Sequence, residues 1–232
     1  MGGLRTNVPV ENCVVRRGNL CVMAIHRSTK LWRALTIIVC LLIVKVTIEV
    51  MLGYTNYFPP NFSSDFLQGR ESYFFGAYRW AFYPHIVSGP LALFMGMLLI
   101  SESVRSRFPK WHRNLGRVQV ANVLCVVTPS GLWLAYDTAT GPIAAIGFAI
   151  LSVLTATCTA LGWRSAVRRQ FPIHRRWMGR CFLLLCSAVV LRVVVGFGTV
   201  IGVQAVWFDP LASWSSWVVP LLIFESLGLR QR

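Results

Sequence analysis

The sequence predicts an all-α integral membrane protein, a helical bundle of six transmembrane helices with both termini on the cytoplasmic side. Three observations predict it. Hydrophobic residues make up 55% of the 232-residue chain and charged residues 13%, about half the ~25% charge content of an ordinary soluble domain. Mean hydropathy is +0.58. Of the 23 Lys and Arg, 19 fall in four short segments: six in 5–33, five in 105–117, six in 164–180 and two in 230–232.

Between those segments lie apolar stretches that approach the ~20 residues needed to cross the hydrocarbon core. The spans are predicted at about 31–53, 80–100, 118–136, 142–163, 181–203 and 214–229, behind a polar, basic amino-terminal tail at 1–30. The first has a charged lead like a signal peptide, but no small-residue cleavage site follows Gly53, so it reads as an uncleaved span. Pro142 suits the first position of the fourth helix. Pro84 and Pro90 are expected to kink the second, and Pro129 the third. Trp207, Trp214 and Trp217 cluster as an interfacial belt does.

Parity fixes the orientation. With the amino terminus inside, the segments after spans two, four and six are also inside, and these hold the remaining basic clusters. The outer segments hold only Arg70 and Arg79, as the positive-inside rule requires. The formal net charge of +15 therefore reads as cytoplasmic loops against anionic lipid headgroups rather than a nucleic-acid groove. The localisation implied is the inner (cytoplasmic) membrane. Seven cysteines with no C-x-x-C pair and none in an outer segment argue against disulfides and a zinc site.

Two basic loops align at a fixed offset of 63: residues 108–117, FPKWHRNLGR, and 171–180, FPIHRRWMGR, share Phe, Pro, Arg, Gly and Arg. Each precedes an inside-to-outside span, which points to duplication of a two-helix unit. Small residues Ala145, Ala149, Ala156 and Ala160, with Gly198 and Gly202, suit close helix packing.

The string Pro84-His85-Ile86-Val87-Ser88-Gly89-Pro90, the loop Trp111-His112-Arg113-x-x-Gly116-Arg117 and the loop His174-Arg175-Arg176-Trp177-Met178 together resemble one family. It is the predicted bacterial membrane proteins called domain of unknown function 2306, and the resemblance runs from about Tyr78 to the carboxyl end. It implies a multi-pass inner-membrane protein and brings no reaction with it.

Ionisable groups inside a bilayer are costly and mark function by default. Lys45 and Glu49 in span one, Arg192 in span five and Glu225 in span six form a neutral set. Counting ~1.5 Å per residue brings their side chains within reach of a common depth. Such a network serves either as an interhelical clamp or as a proton or ion relay. His85, near the outer end of span two, and Asp137, at the outer end of span three, are a candidate outer polar site. His112 and His174 occupy equivalent places in the two loops, and on facing helices they would serve as axial ligands of a b-type haem. The layout is similar to six-helix dihaem b561-type cytochromes, with two departures: span four has no histidine to partner His85, and His112 and His174 stand at headgroup level beside arginines. Solvated histidines contacting headgroups are the plainer reading.

No nucleophile with a neighbouring base, phosphate loop or metal cluster appears, so the sequence points away from an enzyme. The favoured function is ion, proton or small-molecule transport organised around the charge set. The alternatives are haem electron transfer and a lipid-contacting assembly role.

Overall fold

The computed structural model describes residues 34–229 except 65 and 204, without the side chains of 228 and 229. The predicted tail at 1–30, Cys13, Cys21, Arg230 and Arg232 lie outside the described residues. Among those described, the regular structure is helical, with one isolated bridge between Tyr57 and Pro60. Five helices are long and apolar enough to cross a membrane: α1 (Ala34–Asn56), α2 (Glu71–Ile100), α4 (Pro109–Tyr136), α5 (Pro142–Val167) and α6 (Phe171–Val200). A short α3 (Glu102–Arg107) joins α2 to α4, and α7 (Phe208–Leu229) closes the chain. The chain divides into two units, Met1–Lys45 and Val46–Arg232. In the first, the described residues are the opening half of α1; the second holds everything below.

The helices begin ahead of their predicted apolar stretches, α2 at Glu71, α4 at Pro109, α6 at Phe171 and α7 at Phe208. Hydropathy counts residues that suit hydrocarbon, whereas Lys and Arg are good helix formers. Proline in the first turn also costs no hydrogen bond, and both repeated loops place Pro109 and Pro172 there. The basic repeats are therefore the first turns of helices rather than loops before them.

Within the second unit α2, α4, α5 and α6 make a closed ring. α2 packs on α4, α4 on α5, α5 on α6 and α6 back on α2, while α7 lies against α5 and α6. α4 and α6 are thus diagonal partners across the ring. Both cavities described below open between these helices. The end of the ring away from the basic loops carries an aromatic cluster of Phe74, Tyr78 and Phe82 with Leu67, all buried. At α5, α6 and α7 the core is Cys158, Cys181, Leu184 and Trp217. The five described cysteines are free thiols. Outward faces carry Ile146, Val153, Val193, Phe197 and Leu222, all exposed, as a membrane-embedded bundle requires.

The prolines expected to kink the second and third spans lie inside α2 and α4. α2 continues through Pro84 and Pro90. Pro90 has no N–H, so the Ile86 carbonyl lacks its i+4 donor. The Tyr54 hydroxyl donates to that carbonyl at 2.6 Å. In α4 a π turn at Val123–Val127 stands just ahead of Pro129, the wide turn that absorbs a misfit in the helical ladder. Gly202 (φ +73) is a turn residue with open space around its missing Cβ, not a packing contact. It ends α6 by letting Gly202 N–H reach the Thr199 carbonyl and Val203 N–H the Gly198 carbonyl.

Gly198 does act as a contact: a Cβ there would lie 2.3 Å from Phe208 Cζ, which holds α7 against α6. Gly198→Val is expected to destabilise the detergent-solubilised protein by about 1–3 kcal/mol through overpacking. Gly196→Val, at a position with nothing within 4 Å of an added Cβ, should melt close to the parent. Equal melting temperatures for the two variants would remove this contact from the account.

Candidate functional site

The larger cavity, about 530 Å³, lies at the basic end and is walled by all four ring helices. His112 enters from α4 and His174 from α6, the diagonal pair. Arg105, Arg113, Arg117 and Arg175 share the lining, which holds no carboxylate. Apolar walls come from Trp163, Phe182 and Leu185. Gly96 is where Phe182 packs, since an added Cβ would sit 2.9 Å from its ring.

His174 Nδ1 lies 2.8 Å from the Gly162 carbonyl oxygen. A carbonyl only accepts, so Nδ1 carries the hydrogen and donates it, leaving Nε2 with a bare lone pair in the neutral ring. Gly162 has room for no side chain: a Cβ would meet Met178 Sδ at 2.6 Å. His112 Nδ1 is buried with no hydrogen-bond partner. The sequence relation between the two histidines thus becomes a spatial one, two imidazoles lining one chamber.

The second cavity, about 350 Å³, lies at the aromatic end and is lined by residues from α1 (Val46 onward), α2, α4, α5, α6 and α7. His85 and Arg192 line it. His85 Nδ1 is 3.0 Å from Ser130 Oγ, and the Ser130 hydroxyl donates to the Val126 carbonyl at 2.5 Å. Ser130 therefore accepts from His85, whose Nε2 is the bare nitrogen. Gly131 admits this ring, because a Cβ there would stand 3.3 Å from His85 Cε1. Asp137 meets not His85 but Arg70, its backbone carbonyl accepting from Arg70 Nη1 at 2.9 Å.

Of the predicted charge set, Glu225 and Arg192 bond to other partners rather than to each other. Glu225 accepts from Arg176 Nη2 at 2.8 Å and from Arg180 Nε and Nη2 at 2.6 and 3.1 Å. Arg180 also lies over the Trp177 ring, 4.3 Å from its centroid. Arg192 Nη1 donates to the Ala188 carbonyl at 3.1 Å and forms no ion pair among the described residues. The reason is the early start of α6. Arg176 and Arg180 become successive-turn residues of a helix packed on α7, and they reach Glu225 from the same face. Lys45 and Glu49 stand one turn apart in α1. Sequence reasoning missed Arg70 as a cavity residue and Ser130 as the partner of His85. Their spacing of 45 residues from His85 to Ser130 carries no local signal.

Replacing Glu225 by Leu leaves two arginines without their carboxylate and should cost about 2 kcal/mol, typical of hydrogen bonds to charged groups. The double variant Arg192→Leu with Glu225→Leu should be additive within about 0.5 kcal/mol, as for sites without shared partners. Thermal denaturation of the four proteins reads both values, and rescue of one change by the other would contradict this geometry.

A family model described as "Predicted membrane protein (DUF2306)" matches residues 82–227, which include His85, His112, His174, Arg192 and Glu225. No curated protein and no solved structure matches the chain. The matched region covers more than half of the sequence, and the chain belongs to this family of predicted membrane proteins.

Proposed function

We propose that this protein is a b-type haem electron carrier of the cytoplasmic membrane, a six-span bundle with α7 as the sixth span and both termini and the basic loops inside. One observation carries the reading: His112 and His174, on diagonally opposed ring helices, line the same 530 Å³ cavity. That volume falls within the ~300–1,000 Å³ of cofactor and ligand sites.

The residues present fit the group. His174 donates Nδ1–H to a backbone carbonyl, the arrangement that orients a ligating imidazole and raises the basicity of its other nitrogen. His112 has an unpartnered Nδ1 and supplies the second imidazole. Trp163, Phe182 and Leu185 offer apolar walls to a macrocycle, and Arg113, Arg117 and Arg175 offer guanidinium forks to propionate carboxylates. With His112 and His174 to hold it, a haem bound in this cavity would supply one-electron transfer. The protein's part is to hold two neutral rings across the bundle, exclude water with its apolar walls, and balance the anionic edge.

In the proposed topology the same arginines stand at the cytoplasmic headgroup level, where anionic lipids add a favourable contact. The lipid-contacting reading is thus compatible with the haem reading. A transport role has lost its continuous charge set, since Glu225 is paired with Arg176 and Arg180.

Protein purified from cells supplied with haem precursor should show a Soret band that His112→Ala or His174→Ala abolishes. A colourless preparation from such cells would overturn the assignment. For the topology, a reporter active only outside the cytoplasm should be silent when fused after Arg232 and active when inserted at Ser64. The reverse pattern would invert the bundle.

A further inference from the structure

The aromatic-end cavity is lined by two arginines whose hydrogen bonds among the described residues all go to neutral acceptors. Arg70 is 6% exposed and lines it. Its Nε donates to the Phe66 carbonyl at 2.9 Å, and its Nη1 to Tyr78 Oη at 3.0 Å and to the Asp137 carbonyl. Each of these acceptors is neutral, and Nη2 takes part in none of the bonds. The guanidinium is further fixed over the Phe66 and Tyr78 rings, 4.9 and 5.4 Å from their centroids. Arg192 reaches the same cavity from inside the span α6, bonded only to the Ala188 carbonyl. Among the described residues the lining includes two arginines and no Asp or Glu.

A third observation is independent of these charges. Thr128, 8% exposed, lines the cavity, and its Oγ1 is buried with no hydrogen-bond partner. Two cations bonded to neutral acceptors and an orphaned hydroxyl are each costly where water is scarce, and one anionic ligand answers all three. The remaining walls are apolar, including Val50, Leu93, Leu134 and Phe148. The volume of about 350 Å³ lies at the small end of the range for ligand sites.

We infer that the aromatic-end cavity binds a carboxylate carried on an apolar body, with Arg192 and Arg70 as its guanidinium partners and Thr128 as a hydroxyl partner. A carboxylate matches the planar guanidinium fork, and the apolar walls select an aromatic or aliphatic acid over an inorganic anion. The acid arrives either from water or from the bilayer, so both sources enter the test. The site is separate from the histidine chamber and does not depend on it.

The test uses the full chain in detergent, with benzoate as the water-borne probe and myristate as the bilayer-borne one. Benzamide, myristyl alcohol and chloride serve as controls. At least one acid should raise the melting temperature saturably, and which acid does so identifies the source. Arg192→Gln should weaken the apparent affinity at least tenfold, with Arg192→Lys intermediate. Should Arg192→Gln not fold, Ala188→Phe, which fills the cavity at an exposed position, must abolish the shift. Equal shifts with the neutral controls or with chloride, or an undiminished response in Arg192→Gln or Ala188→Phe, would overturn the site. Because haem is read by absorbance at His112 and His174, a colourless protein that binds benzoate refutes only the haem reading. A haem-bearing protein indifferent to both acids refutes only this one.

Discussion

Pro90 removes a backbone donor from the middle of α2, and hydrocarbon has no water to replace it. The Tyr54 hydroxyl does so instead, at 2.6 Å from the Ile86 carbonyl. The same constraint, that polar groups inside a bilayer find their partners within the protein, orders much of the bundle. Gln119 and Asn122 on α4 send amide hydrogens to the Ala92 and Ser88 carbonyls of α2. Thr155, Thr157 and Thr159 return their hydroxyls to carbonyls one turn back in α5. The amide bonds of Gln119 and Asn122 join helices, whereas the unpartnered His112 Nδ1 and Thr128 Oγ1 belong to residues that line the two cavities.

Charge follows the same logic. Glu225 is satisfied by two arginines one turn apart, and the three residues tie α6 to α7. Arg105 is satisfied locally by Glu102. The other arginines of the basic-end chamber have no carboxylate in its lining, and neither have Arg70 and Arg192 in the other. Both cavities are therefore cationic chambers with apolar walls. One differs from the other in holding two imidazoles, and that difference separates a chamber suited to a bis-histidine cofactor from one suited to an organic acid.

Much of the fold was legible because hydropathy and basic loops are one-dimensional signals. The apolar stretches correspond to helices, and the loops carrying His112 and His174 were recognisable from ten residues each. The helix starts were not, because the first turns of α4 and α6 are polar and helical at once. That error propagated into the charge set. With the fifth span starting at 181, Arg180 counts among the basic-loop charges, which hides its pairing with Glu225. Arg70 was hidden for another reason: its burial depends on Tyr78 and Asp137, eight and 67 residues away, a convergence no local pattern encodes.

The position of the two cavities bears on what crosses this bundle. Leu185 lines both. Beside it Leu184, 1% exposed, and Leu93, 6% exposed, line the aromatic-end cavity. Leu185 is thus shared by the two chambers, and a bare ion passing that side chain meets the desolvation cost that polar pathways exist to avoid. In the proposed function an electron would need no such pathway of polar ligands. With Glu225 withdrawn into its pairing with Arg176 and Arg180, no carboxylate among the described residues lines either cavity to relay a proton. The shared leucine and the two imidazoles of the basic-end chamber thus both bear on the proposed function, and both favour electron transfer over ion transport.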